Sequence, residues 1–142
     1  MDTSDQNHTL ILVNQLGELD TIRECIANLI KAWNIHPSFE FPLNMVLEEA
    51  FTNVIRYAFD DDSEHEIELN FNRQDDCLII TLTDDGQPYD PTAKADPDTA
   101  LPASDRPIGG LGIFLVKKYM DEVRYRRHNN KNQLISVKKL SI

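Results

Sequence analysis

The chain has 142 residues, enough for one domain that buries roughly 68–70% of its unfolded surface without a disulfide or metal staple. Apolar residues at 41% and charged residues at 27% match an ordinary soluble globule, and a formal net charge of −10 argues against a general nucleic-acid binder. Cys25 and Cys77 lack metal-ligand spacing and read as reduced core residues. The start MDTSDQNHT has no basic-then-apolar leader and no apolar run approaches a membrane span, so the expectation is a cytoplasmic protein with no membrane contact.

In chain order, His8–Asn14 predicts a first strand through Leu10, Ile11, Leu12 and Val13, with Gly17 punctuating its end. From Glu18 to Trp33, Leu19, Ile22, Ile26, Leu29, Ile30 and Trp33 recur at helical spacing. A connector with two prolines, 34–42, leads into LNMVLEEAFTNVIRYAF, Leu43–Phe59. There Leu43, Leu47, Ala50, Phe51, Val54, Ile55 and Ala58 share one helix face, and Pro42 suits the first turn because its missing N–H costs nothing there. Glu49 and Asn53 lie about 40° apart around the axis and roughly 6 Å along it, with Arg56 continuing the same polar stripe. Alone, such a stripe is the usual solvated face of an amphipathic helix. A carboxylate beside a carboxamide also has the chemistry of a general base and an oxygen ligand for a hard cation such as Mg²⁺.

His65–Asn72 alternates Ile67, Leu69 and Phe71 with Glu66, Glu68 and Asn70, the pattern of a half-buried strand. A turn at Asp75 and Asp76 then leads into the strand Cys77–Thr83, giving a hairpin. Gly110–Met120 carries a helical pattern through Ile113, Leu115, Val116 and Tyr119. Strands Glu122–Arg127 and Gln133–Leu140 close the chain across a polar turn around Asn129–Asn132. This order predicts an α+β two-layer sandwich, with a mixed, mainly antiparallel sheet and helices on one face.

Asp85–Gly109 breaks the periodicity with Pro88, Pro91, Pro97, Pro102 and Pro107 among small and acidic residues. A loop longer than roughly 15 residues inside a compact domain is usually functional or disordered, and only 33 residues follow it, too few for a second domain. Charge is also uneven. Asp60, Asp61, Asp62 and Glu64 form an acidic knot, whereas eight of the 14 basic residues fall between Lys117 and Lys139. That basic stretch is either solvated strand and helix face or a docking patch for an acidic partner or for nucleotide phosphates.

Two motifs flank the loop. Asp84-Asp85-Gly86-Gln87-Pro88 follows the CLIITLT strand; by itself it is a common turn, but a strand-end carboxylate can also accept from an exocyclic amine such as that of adenine. Gly109-Gly110-Leu111-Gly112 runs straight into a helix, either as a lid hinge or as a nest of N–H groups for an anion. It is neither a Walker motif nor a dinucleotide fingerprint.

Together, in this order, EEAFTNVIRYAF, DDGQPYDP and GGLGIFLVKKYMDEV, with the end strand NQLISVKKL, resemble the ATP-binding (Bergerat) domain of the histidine kinase-like ATPase superfamily. Within it the chain is most similar to the small anti-sigma-factor serine/threonine kinases, over essentially its whole length. The resemblance implies a single ATP-binding kinase domain over 1–142, with an ATP lid at about 85–109, using ATP and Mg²⁺. Glu49 would be the catalytic base and Asn53 the Mg²⁺ ligand. Asp84 would bind the adenine amine, Gly86 would allow close approach, and Gly110, Leu111 and Gly112 would line the phosphates. Arg106 is the candidate for an arginine that some relatives carry near these glycines. The implied function is phosphorylation of a small antagonist protein together with binding of a sigma factor, as a homodimer. A non-catalytic ATP-sensing module and a detached histidine-kinase catalytic domain are the alternatives. Departures from the family pattern are Pro88 in place of a second glycine, Tyr57 where relatives often carry His, and Asn132-Gln133 in place of a Gly-Thr pair before the last strand.

Overall fold

In a computed structural model, which describes residues 6–93 and 110–141, the strand and helix predictions resolve into one sheet covered on one face. The elements are β1 (Gln6–Val13), α1 (Glu18–Ala32), α2 (Glu40–Tyr57), β2 (Glu66–Gln74), β3 (Cys77–Asp84), α3 (Gly110–Tyr119), β4 (Glu122–His128) and β5 (Lys131–Lys139). Short 3-10 turns, Pro37–Phe39 and Pro91–Ala93, precede α2 and follow β3. The five strands are ordered β1-β2-β3-β5-β4.

The two-layer architecture is as expected, but among the described residues every strand pairing is antiparallel, where a mixed sheet was expected. The connections explain this. Two helices separate β1 from β2, so the chain returns in the opposite sense. β3 and β4 do run the same way, but β5 lies between them and pairs antiparallel with both.

The strand alternation works as read: Ile67, Leu69 and Phe71 of β2 and Leu78, Ile80 and Leu82 of β3 are buried against the helices. Their neighbours Glu66 and Glu68 face outward. α2 lies at the centre of the helical layer, with Leu43, Val46, Leu47, Ala50 and Phe51 buried. It begins at Glu40 rather than Leu43 because the Pro37–Phe39 turn feeds directly into it, and Pro42 still falls within the first turn.

α1 buries Ile22, Cys25, Ile26 and Ile30, and burial pushes the Cys25 thiol up to about 11. The helix ends in a Schellman motif: Asn34 is left-handed at φ 54°, Asn34 N–H donates to Lys31 O, and Ile35 N–H donates to Ile30 O. The β4–β5 connection is a two-residue turn, Asn129 (φ 53°) and Asn130 (φ 61°), the left-handed pair that suits the twist of a tight hairpin. Asn132 thus belongs to β5 and not to the turn.

Candidate functional site

The chemistry collects where β3 ends beside the C-terminal half of α2. Asp84 is the last residue of β3 and is 4% exposed; directly across the sheet from it stands Asn132, also 4% exposed. Asp84 Oδ1 accepts from the Gly86 N–H and from Asn132 Nδ2, both at 2.9 Å. Asn132 Nδ2 also donates to Gln87 O at 2.8 Å. Its other end, Oδ1, accepts from the Tyr125 hydroxyl at 2.6 Å, Arg127 Nη1 at 3.1 Å and the Tyr89 N–H at 3.3 Å. Three donors on one oxygen fix which way the carboxamide points. Burial pushes the Asp84 carboxyl above its usual range, opposed by the Asn132 and Gly86 hydrogen bonds.

After Asp84 the chain folds back onto the end of α2. Gln87 N–H donates to Ala58 O at 2.8 Å and Gln87 Nε2 to Tyr57 O at 3.0 Å, so this loop satisfies carbonyls at the helix C-terminus. A Cβ on Gly86 would stand 2.3 Å from Ala58 O, which is why no side chain fits there. The close approach that Gly86 permits is thus to the helix. The Tyr89 ring stacks on Tyr57, with centroids 5.3 Å apart.

Asn53, 5% exposed, lines the same small cavity as Asp84, together with Ala50, Val54, Tyr89 and Asn132. Its volume is about 20 Å³, room for about one water. Tyr89 and Pro91, on the strap that follows β3, form one wall of this cavity, and α2 forms another. A larger open groove of about 340 Å³ lies at this end of the sheet and is lined by Glu66, Glu68, Asp85 and Lys131. Asp84 borders this groove as well, but Asn53 does not; the smaller cavity is the better candidate because it brings Asn53 and Asp84 together.

The structure brings Asn53, Asp84 and Gly86 together and leaves Glu49 half-buried one turn earlier on α2, outside the cavity lining. Gly110, Leu111 and Gly112 form the first turn of α3, which packs beside α2. The first-turn N–H groups of a helix lack intrahelical acceptors and favour an anion. Arg106 and most of the expected lid lie outside the described residues. For Mg²⁺, the cavity offers the Asn53 carboxamide, whose oxygen is a hard donor of the kind that ion takes.

Tyr125, Arg127 and the anchoring role of Asn132 were not read from the sequence. The signal was present in β5, where Asn132 continues the inward phase of Leu134 and Ser136, so a polar residue stands at a core position.

Residues 12–138 match the family described as Histidine kinase-like ATPase domain. Among individual proteins the chain is similar to the Serine-protein kinase RsbW of Bacillus subtilis (strain 168), 32% identical over 91 residues, covering 61% of this chain and 57% of that one. It is also similar to the Serine/threonine-protein kinase BtrW of Bordetella bronchiseptica, 29% identical over 94 residues and 66% of each chain. The matched segments are thus 57% and 66% of these curated relatives' own lengths. The crystal structure of the RsbU and RsbW domains of Rv1364c from Mycobacterium tuberculosis superposes with a TM-score of 0.68. At 13% identity, over 96% of this chain and 33% of that one, it shows a shared fold.

Proposed function

Since the chain belongs to the histidine kinase-like ATPase domain family, we propose that it is an ATP- and Mg²⁺-dependent protein serine/threonine kinase acting as an anti-sigma factor. It would phosphorylate a small antagonist protein and bind a sigma factor, as a cytoplasmic homodimer without direct nucleic-acid contact. The kinase names of its relatives support the activity. The observation that carries the reading is the convergence of Asn53 from α2 and Asp84 from β3 on one cavity, with the glycine-opened helix α3 packed against α2. Among the described residues no helix is long and apolar enough to cross a membrane.

The roles follow from the chemistry of each group. Asp84 accepts the adenine amine, Asn53 supplies an oxygen to Mg²⁺, and the N–H groups of Gly110, Leu111 and Gly112 receive phosphate oxygens. Bound Mg²⁺ neutralises charge on the phosphates, which is most of what phosphoryl transfer demands of its surroundings. Glu49 takes the proton of the acceptor hydroxyl. For this the half-buried carboxylate needs only to reach substrate from its place one turn before Asn53.

The test is incubation with labelled ATP and a candidate antagonist. Phosphoserine or phosphothreonine on the antagonist supports the kinase. No transfer despite ATP binding leaves an ATP-sensing module, and phosphohistidine indicates a detached histidine-kinase domain. Glu49→Gln should retain ATP binding and lower transfer by about 10²–10⁴-fold. Asn53→Ala should lower Mg-ATP affinity and transfer together. An unchanged melting temperature in saturating Mg-ATP would remove the basis for all three readings.

A further inference from the structure

Asp84 does not stand alone at its strand end; it is held by a carboxamide that is itself held by three donors. The hydrogen bonds from Gly86 and Asn132 both fall on Oδ1 of Asp84, leaving Oδ2 as the oxygen that can accept from a ligand. Asn132 cannot rotate its amide without placing an N–H₂ group against the Tyr125 hydroxyl, Arg127 Nη1 and the Tyr89 N–H, and a carbonyl oxygen against Asp84. Tyr125 and Arg127 belong to β4, Asn132 to β5 and Asp84 to β3, so the orientation of one carboxylate is fixed across three neighbouring strands.

We propose that Asn132, locked by Tyr125 and Arg127, is a positioning residue that sets base selectivity, aiming Asp84 Oδ2 at a nucleobase amine and excluding bases that carry a carbonyl there. The inference rests on the nucleotide reading of the site and names what selects the base within it. A carboxylate oxygen accepts from the 6-amino group of adenine and is repelled by the 6-oxo group of hypoxanthine. With Oδ1 already occupied by two donors, rotation of the Asp84 carboxyl to relieve that repulsion would break both bonds. Asn132 also opposes the effect of burial on Asp84 and thereby favours the ionised, accept-only form.

The substitution that tests this is Asn132→Asp in the full chain. It keeps the shape and the acceptor for Tyr125 and Arg127, but replaces the donor facing Asp84 with an oxygen. Two carboxylates at that spacing cannot both ionise, so they share a proton. Calorimetric titration with Mg-ATP and Mg-ITP should show that the wild type prefers ATP. In the variant that preference should fall by about 10–100-fold, the scale of a hydrogen bond to a charged group, with ITP affinity unchanged. In the nucleotide-free variant, carboxyl NMR should show the titration at Asp84 moved upward. A variant that keeps the wild-type ATP-to-ITP ratio overturns the inference and leaves the nucleotide site intact. Equal binding of ATP and ITP by the wild type does the same. Failure of the wild type to bind either triphosphate overturns the nucleotide reading and the inference with it. If Asn132→Asp does not fold, Tyr125→Phe decides: loss of the hydroxyl donor should lower the ratio, and an unchanged ratio overturns the proposal.

Discussion

Two aspartates separated by less than 25 residues behave in opposite ways. Asp84, walled in between α2 and the sheet, has its carboxyl pushed up by burial despite two hydrogen bonds. Asp61, in the exposed loop between α2 and β2, is pulled down to about 2 by the Ser63 side chain, His65 and the Ser63 N–H, in that order. His65 answers with a raised value, caused first by its hydrogen bond to Asp61 at 2.8 Å, and its ring stacks on Phe59 with centroids 4.1 Å apart. Hydrogen bonds to the ionised form prevail where water already solvates the charge, whereas desolvation prevails where it does not. The buried aspartate is therefore expensive to keep ionised, which agrees with the binding role proposed for it.

Breaking the buried member should have the largest effect. Mg-ATP at about 100 times its Kd should stabilise the wild type by about 2.7 kcal/mol, or about 5–10 °C in melting temperature. Asp84→Asn should remove most of that shift. Without nucleotide, the same variant should melt higher than the wild type at neutral pH, because it no longer buries a charge. The sign follows from linkage: a carboxyl raised on folding lowers stability above its folded pKa, and that penalty disappears as pH falls toward its unfolded value. The melting advantage of Asp84→Asn should therefore shrink on acidification, which paired thermal melts across the acid range would show.

The wall around Asp84 can be tested next through Gly86. A Cβ there meets the backbone of Ala58 at 2.3 Å, so Gly86→Ala should cost about 1–3 kcal/mol by forcing the loop from the helix end. Denaturant melts should show a lower midpoint with little change in slope.

The exposed pair should yield the smallest effect. Asp61→Asn should lower the His65 pKa, read by NMR titration, while leaving the melting temperature at pH 7 almost unchanged, as expected for a solvent-screened pair. Asp61 contributes above its ordinary value of 3.8 and loses that contribution as pH falls toward about 2. His65 contributes fully below 6.5 and loses its contribution as pH rises through its raised folded value. Both groups therefore support the loop together between pH 3.8 and 6.5.

The contrast also shows what a sequence displays. Local patterns were legible: the apolar face of α2, the alternation of β2, and the glycines opening α3 all depend on residues within a few positions of one another. Asp84 and Asn53 were legible because their order along the chain resembles a known motif set. The hub around Asn132 was not, because it depends on a pairing between residues 48 apart whose register no local pattern reveals. Gly86 was recognised as a point of close approach, but the surface approached, Ala58, became visible only once α2 and β3 were side by side. The pairing of all strands as antiparallel likewise depended on β5 inserting between β3 and β4, an ordering that element order leaves open.

The two-residue turn at Asn129 and Asn130 acts as a ruler for the site. It pairs His128 with Lys131, which places Arg127 across from Asn132 and Tyr125 across from Leu134. A strand that slips by one residue turns every side chain over. One amino acid inserted into or deleted from this turn would therefore carry Tyr125 and Arg127 to the open side of the sheet while Asn132 stayed inside, leaving the carboxamide without two of its three anchors. Substitutions along β4 would be absorbed one position at a time, but a change in turn length would be felt by all of its side chains at once. The length of this short connection is thus fixed by the side chains it sets opposite Asn132.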